Sequence, residues 1–311
     1  AILLVLLCVP LVIDANSVDV EDDLPPYLRG MEWRNVEKEL RKNMRLDPSL
    51  RPLHYQLELN VSVRGYNGAE RSTFDGILLI ILNGSSPRDE IELHSVGLDI
   101  KEAIFDSRGG YGKISDIKYN RERETVIFKL PEMIDLSDTW MLGIKYNGTA
   151  LMRGLGLYES WTDREDNTTS NMPTISLVSN CEPTGARRWF PSFDEPDMKA
   201  TFALLVTHPS QLTAYSNTAV KTLKQRDERI TITVFPTTVV LPSYVFALAL
   251  TEQPVAEVEH NGQKIRAIGR NRDKIVAELV KSIDHIRSRP AFENVTFIPE
   301  KTDWLIVEDF P

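Results

Sequence analysis

From Tyr55 onward apolar and polar residues alternate: Tyr55, Leu57, Leu59, Val61 and Val63 are separated by Gln56, Glu58, Asn60 and Ser62. Successive strand side chains point to opposite faces, so this period of two predicts a strand with one buried face and one wet face. Further strand-like runs recur at 77–82, 91–93, 125–130, 140–146, 202–206, 230–235 and 244–250, with Gly, Asn, Asp, Ser or Pro punctuating the gaps. Many short strands separated by turn residues, with no long amphipathic helix among them, predict an all-β sandwich. No internal repeat is visible.

The pattern changes after Gln253 and Pro254. Two short strand-like runs near Val255 and Ile265 lead into 273–289, where Ile275, Val276, Leu279, Val280, Ile283 and Ile286 fall on one helical stripe that Pro290 ends. Residues 254–311 thus read as the opening of a second, α-containing domain, and roughly 60 residues bury a core with difficulty. On the other side, residues 18–44 are acidic and then mixed in charge, contain Pro25 and Pro26 and lack apolar periodicity, which is the composition of a linker. The β-domain is expected over 45–253.

Residues 1–17 differ again. Twelve of the first thirteen residues are apolar, and small Ala15 and Ser17 follow, as in the apolar region and cleavage site of a signal peptide. Crossing a bilayer takes about 20 apolar residues, more than this run offers. Because Ala stands at position 1 and no basic residue precedes the run, a truncated signal anchor is the second reading. A buried core helix is the third, disfavoured by Pro10 and the acidic stretch 19–23. Five Asn-x-Ser/Thr sequons, at Asn60, Asn83, Asn147, Asn167 and Asn294, exceed the chance expectation of about two. Leader and sequons together lead us to expect a glycoprotein that is secreted or held on the extracellular face of the plasma membrane.

Composition adds exclusions. With 42% hydrophobic and 26% charged residues over 311 positions the chain is a folding one. Its net charge of −9 argues against a nucleic-acid partner, which needs clustered Lys and Arg. The mixed-charge runs 37–45 and 121–124 read as solvated faces. Cys8 lies in the leader and Cys181 is alone in the mature part, so Cys181 reads as a small packed side chain. His54, His94, His208, His260 and His285 are scattered, none stands in H-E-x-x-H, and no P-loop, dinucleotide fingerprint or G-x-S-x-G elbow occurs. Each histidine reads as a surface or hydrogen-bonded structural residue.

The most informative segment is 180–202, NCEPTGARRWFPSFDEPDMKATF. Together with RLDPSLRPLHYQLEL at 45–59, GLGLYESWTD at 154–163 and SYVFALAL at 243–250, in this order and at these separations, it resembles the aminopeptidase N family of zinc metallopeptidases. Residues 154–163 are similar to that family's Gly-Leu-Tyr-x-Ser turn. FIPEKTDWLIVEDF at 297–310 resembles its KxDxxxxxDF strand, matching at Lys301, Asp303, Asp309 and Phe310.

The resemblance implies a saddle-like antiparallel β-sandwich as N-terminal domain, followed by the truncated start of an α/β zinc-peptidase catalytic domain. It implies a parent enzyme that removes single residues from peptide N-termini, with zinc held by a later H-E-x-x-H helix and a distal Glu. Those ligands are absent from this chain, so it is expected to bind no metal and to be inactive by itself, and no catalytic residue is assigned. In the family a Gln-x-Glu segment of the β-domain reaches the active site. There the Gln lines the first side-chain pocket and the Glu contacts the substrate's ammonium.

The matching positions here are Asn180 and Glu182, the substrate-binding residues the resemblance implies. A carboxylate suits a desolvated ammonium, and fixing the free amine restricts cleavage to the terminal residue. The alternative of equal weight is that Glu182 pairs with Arg187 or Arg188. Asn180 is one methylene shorter than the family's Gln, and Ser192 stands where Cys is common. Arg187, Arg188, Asp194 and Glu195 are expected to form a structural charge network. The competing function class is a non-catalytic, secreted β-sandwich that binds peptides or a protein partner. A stop inside a strand at Pro311, and the missing initiator Met, favour an N-terminal fragment of the enzyme over that reading.

Overall fold

The computed structural model describes residues 44–107, 110–134, 139–152, 154–162, 173–289 and 300–307. The leader, the linker up to residue 43, Asn167, Asn294, Pro290, Asp309 and Phe310 lie outside the described residues.

The strand formed by the alternating run is β1 (Leu50–Ser62), with Tyr55, Leu57, Leu59 and Val61 buried and Gln56, Asn60 and Ser62 exposed. It stands inside an eight-stranded sheet whose order is β13 (Thr222–Gln225), β14 (Ile230–Phe235), β11 (Thr201–Pro209), β1, β2 (Thr73–Gly84), β8 (Trp140–Thr149), β4 (Asp99–Ser107) and β5 (Gly110–Ile114). A four-stranded sheet follows the order β12 (Thr213–Ser216), β15 (Leu248–Thr251), β10 (Thr174–Asn180), β9 (Gly156–Thr162). A three-stranded sheet joins β3 (Arg88–His94), β7 (Thr125–Ile134) and β6 (Asp116–Asn120). The chain is mainly β, and one continuous apolar core runs from Leu46 to Leu250 beneath these three sheets.

The expected mainly β architecture of antiparallel sheets is present, and three details differ within it. The large sheet is not wholly antiparallel: β1 pairs with β11 in parallel, from His54 opposite Thr201 to Asn60 opposite Thr207. Residues 154–163 are not only a turn, because β9 starts at Gly156 and pairs with β10 over its whole length. Nearly every residue of β9 and β10 is buried, so neither shows the alternation of a strand with a wet face. In 244–250 only Leu248 to Leu250 is strand, since Ser243–Val245 forms a single 3-10 turn before β15.

The 180–202 segment is anchored by its aromatics. Trp189, Phe190 and Phe193 are fully buried. Phe202 stacks on Tyr55 at 4.7 Å between ring centroids and on Phe246 at 4.5 Å, and Trp189 stacks on the other side of this cluster, 5.3 Å from Phe246. Tyr55 Oη accepts the Phe193 backbone N–H at 3.1 Å, and Tyr146 Oη donates to the Trp189 carbonyl at 2.9 Å. The core thereby fixes the backbone from which the candidate site emerges.

Beyond Pro254, β16 (Val255–His260), β17 (Gln263–Ile268) and β18 (Lys301–Leu305) form a separate three-stranded sheet, with β18 parallel to β17. Helix α1 (Arg272–Arg287) packs on β16 and β17, burying Leu279 against Ile265 and Ala267. Ile275, Val276, Val280 and Ile283 stay half-buried. Among the described residues no helix is long and apolar enough to cross a membrane.

Candidate functional site

Strand β10 ends level with the start of β9, Asn180 lying opposite Gly156. The chain then folds back in a tight loop closed by Gly185 N–H donating to the Cys181 carbonyl at 2.7 Å, and a 3-10 turn at Ala186–Arg188 follows. Two glycines permit the fold-back. A Cβ on Gly185 would fall 2.3 Å from the Asn180 carbonyl oxygen and 2.8 Å from Gly156 N. Gly156 has φ +92°, and a Cβ there would fall 2.6 Å from the Arg188 Cβ. The loop is seated from below by Cys181, whose Sγ accepts the Trp189 indole N–H at 3.1 Å. Burial pushes the Cys181 thiol up to about 12, so it packs and does not act as a nucleophile.

On this platform Asn180 is half-buried at the strand end and Glu182 is exposed two residues later. The carboxylates met by the neighbouring arginines are others. Arg187 Nε donates to Asp194 Oδ2 at 2.9 Å and its Nη1 to Glu124 Oε2 at 2.9 Å, while Arg188 Nη2 lies 3.7 Å from Glu124 Oε1. Asp194 Oδ1 also accepts the Ser243 hydroxyl at 2.7 Å. The charge network expected among Arg187, Arg188, Asp194 and Glu195 is therefore split. Glu195 belongs to a second group, accepting Leu46 N–H at 2.6 Å and pairing with Arg45 Nε at 2.7 Å. Burial raises the Glu195 carboxyl above its ordinary range, against the pull of the Leu46 amide and Arg45.

Sequence reasoning missed Glu124, Arg45 and Ser243 as members of these groups. Glu124 sat in a run read as a solvated face, yet Arg123 in the same run pairs with Glu92 at 3.2 Å and Glu124 holds Arg187. Only the structure shows that Glu124 has a left-handed backbone, φ 55°, which marks a tight turn and not an open face. His94 completes the surroundings. Its backbone exchanges two hydrogen bonds with Ser192, and its ring Nε2 lies 3.3 Å from the Met44 carbonyl. Burial, reinforced by the Arg187 charge, pushes the imidazole down to about 3, so it is neutral.

Lys301 and Asp303, matched on the last motif, lie elsewhere. Arg266 grips Asp303 with two bonds, Nε–Oδ1 at 2.6 Å and Nη2–Oδ2 at 2.8 Å, and stacks over the Tyr215 ring at 5.0 Å. Lys301 Nζ pairs with Asp303 and donates to the Ser216 carbonyl of β12 at 2.6 Å. This cluster ties β17 and β18 to the four-stranded sheet. Beside it opens a largely apolar cavity of about 900 Å³, lined by Val178, Ser179, Leu248, Ile275, Ile283 and Trp304 among others. Asn180 and Glu182 do not line it.

The five histidines are dispersed, each with a partner of its own: His54 meets Thr201, His94 the Met44 carbonyl, His208 Thr233, His260 Asp284 and His285 Arg289. Among the described residues no group of three or more His, Cys, Asp or Glu is placed to hold a metal ion.

The sequence profile of the Peptidase M1 N-terminal domain matches residues 51–245, from β1 to the Ser243–Val245 turn. Aminopeptidase Q of Acinonyx jubatus is 30% identical over 243 residues, covering 72% of this chain and 24% of that protein. Aminopeptidase 2 of Candida albicans is 28% identical over 202 residues, 65% of this chain and 20% of its own length. Human glutamyl aminopeptidase is 26% identical over 249 residues, 78% of this chain and 25% of its own. The matched region thus spans about a quarter of the length of these relatives. A profile match over most of the sandwich, on a mainly β fold, places this chain in the M1 aminopeptidase family as its N-terminal domain.

Proposed function

We propose that this chain is the N-terminal portion of an aminopeptidase acting on peptide N-termini, and that Glu182 is its contact for the substrate's ammonium group. The observation that carries the reading is the division of labour among carboxylates. Asp194 and Glu124 occupy the arginines, while Glu182 is exposed on a loop locked by Gly156, Gly185 and the Cys181–Trp189 contact. An ionised carboxylate on a rigid mount favours a protonated amine through charge-assisted hydrogen bonds. An internal peptide bond offers no such cation. Asn180, at the strand end before it, would border the first side-chain pocket, and its short side chain would leave that pocket wider.

Zinc is implied by the resemblance, with its ligands on the later H-E-x-x-H helix and distal Glu of the parent enzyme; in this reading the chain alone neither holds the metal nor cleaves peptides. Passage into the secretory pathway is part of the same proposal, supported by the apolar leader and by Asn60 and Asn83 being exposed and Asn147 half-buried. The test is Glu182→Ala in the full-length protein, assayed on an aminoacyl arylamide. Loss of a charged hydrogen bond of about 1.5–3 kcal/mol predicts a fall of roughly one to two decades in kcat/KM. Unchanged kinetics would leave Glu182 an ordinary surface residue.

A further inference from the structure

Strand β2 carries six consecutive apolar residues, Ile77, Leu78, Leu79, Ile80, Ile81 and Leu82, a composition suited to a strand covered on both faces. Only the even-numbered ones enter the core. Leu78, Ile80 and Leu82 are fully buried, whereas Ile77 is 44% exposed and Leu79 and Ile81 are half-buried on the outer face of the eight-stranded sheet. There Leu79 and Ile104 crowd together over Gly143, where a Cβ would lie 2.7 Å from Ile104 and 3.3 Å from Leu79. The result is an aliphatic ridge on the wet side of the sheet.

Three of the five sequons bracket this ridge. Asn60 on β1 and Asn147 on β8 are both directly opposite Asp75, one on each side of β2, and Asn83 lies on β2 itself beyond Ile81. Asp75, Ile77, Leu79, Ile81 and Asn83 share one face by the period of two. With strands about 4.8 Å apart and about 3.4 Å per residue, Asn60 and Asn147 are each about 8 Å from Ile77, and Asn83 about 7 Å from Ile81. The hydroxyls that complete the first two sequons, Ser62 and Thr149, are exposed on the same face, and Ser85 is exposed beyond Asn83.

We propose that N-linked glycans on Asn60, Asn83 and Asn147 form a carbohydrate cover over the Ile77–Leu79–Ile81 ridge and keep this sheet face from pairing with another protein surface. The proposal rests on the secretory reading above. Branched carbohydrate on both sides and at one end of the ridge would exclude a flat protein partner, which an exposed aliphatic stripe otherwise invites.

The test uses the full-length protein secreted from a eukaryotic host. Peptide mass spectrometry reports occupancy of the three sites, and the folded protein is then deglycosylated enzymatically. Dye binding to exposed apolar surface and sedimentation velocity are compared before and after, alongside an Ile77→Thr/Leu79→Thr variant. We expect all three sites occupied, a several-fold rise in dye fluorescence with self-association on deglycosylation, and no such rise in the variant. Occupied sites with dye binding and sedimentation unchanged by deglycosylation would overturn the cover while leaving secretion intact. Unoccupied sites would overturn it through the secretory reading. A glycosylated protein that already self-associates, and stops doing so in the variant, would give the ridge to a second copy of the chain and overturn it as well.

Discussion

Arg187 Nε lies 2.9 Å from Asp194 Oδ2, with both side chains buried and the same carboxylate accepting the Ser243 hydroxyl. The pair joins the 3-10 turn after the candidate site to the Phe-Asp-Glu-Pro segment, 7 residues on, and through Ser243 to the turn before β15, 49 residues beyond Asp194. Breaking a buried pair by removing one member costs about 3–5 kcal/mol, and because Arg187 keeps Glu124 as a second carboxylate the loss of Asp194 belongs at the lower end of that range. Asp194→Ala should lower unfolding stability by that amount in a urea titration. The double variant Arg187→Met/Asp194→Leu should recover much of it, since no fully buried charge is then stranded and the part-exposed Glu124 keeps Arg188 nearby.

His94 predicts a pH dependence. Its folded value of about 3 lies below the ordinary 6.5, so between these values the unfolded chain takes up the proton and the folded chain does not. The groups facing the ring are the Met44 carbonyl and the cations Arg187, Arg123 and Arg45. Its contribution is complete above pH 6.5 and fades as pH falls towards 3. In denaturation series from neutral to acidic pH, His94→Gln should lose stability less steeply than the parent. Parallel slopes would show that carboxylates alone set the acid limb.

Cys181 should be silent chemically. With its thiol pushed up to about 12 and its sulfur on the Trp189 N–H, it should resist alkylation in the folded protein and react fully after denaturation, read at its own peptide by mass spectrometry.

Strand β1 was legible because one of its faces is wet, and the alternation from Tyr55 to Val63 records that. Strands β9 and β10 were hidden by burial on both sides, which erases the alternation, so Gly156–Thr162 looked like a turn. The run 77–82 announced a strand but could not say which residues face inward; the register against β1 and β8 decided it. The candidate site was legible only as a motif, in which the resemblance assigned Asn180 and Glu182 from their neighbours. Its wiring was not, because Arg187 reaches Glu124 across 63 residues and Arg266 reaches Asp303 across 37, distances no local pattern encodes.

Gly185 should be intolerant of any side chain. A Cβ placed 2.3 Å from the Asn180 carbonyl oxygen and 2.8 Å from the Cys181 Cα meets backbone on two sides, which cannot yield cheaply. Gly185→Ala should cost about 1–3 kcal/mol, as overpacking does, and should reduce peptidase activity of the full-length protein beyond what the lost stability explains. Unimpaired kcat/KM in a folded Gly185→Ala variant would separate the loop from substrate binding.

The central claim is that Glu182 recognises a protonated amine. It is tested most directly by the inhibition constants of two matched peptide-like inhibitors, one with a free amino terminus and one with that amine replaced by hydrogen, measured against the full-length protein and its Glu182→Gln variant. The account predicts that the variant weakens the amino-bearing inhibitor by roughly one to two decades, the worth of a charged hydrogen bond, and leaves the desamino inhibitor unchanged. Equal weakening of both inhibitors, or of neither, would contradict it.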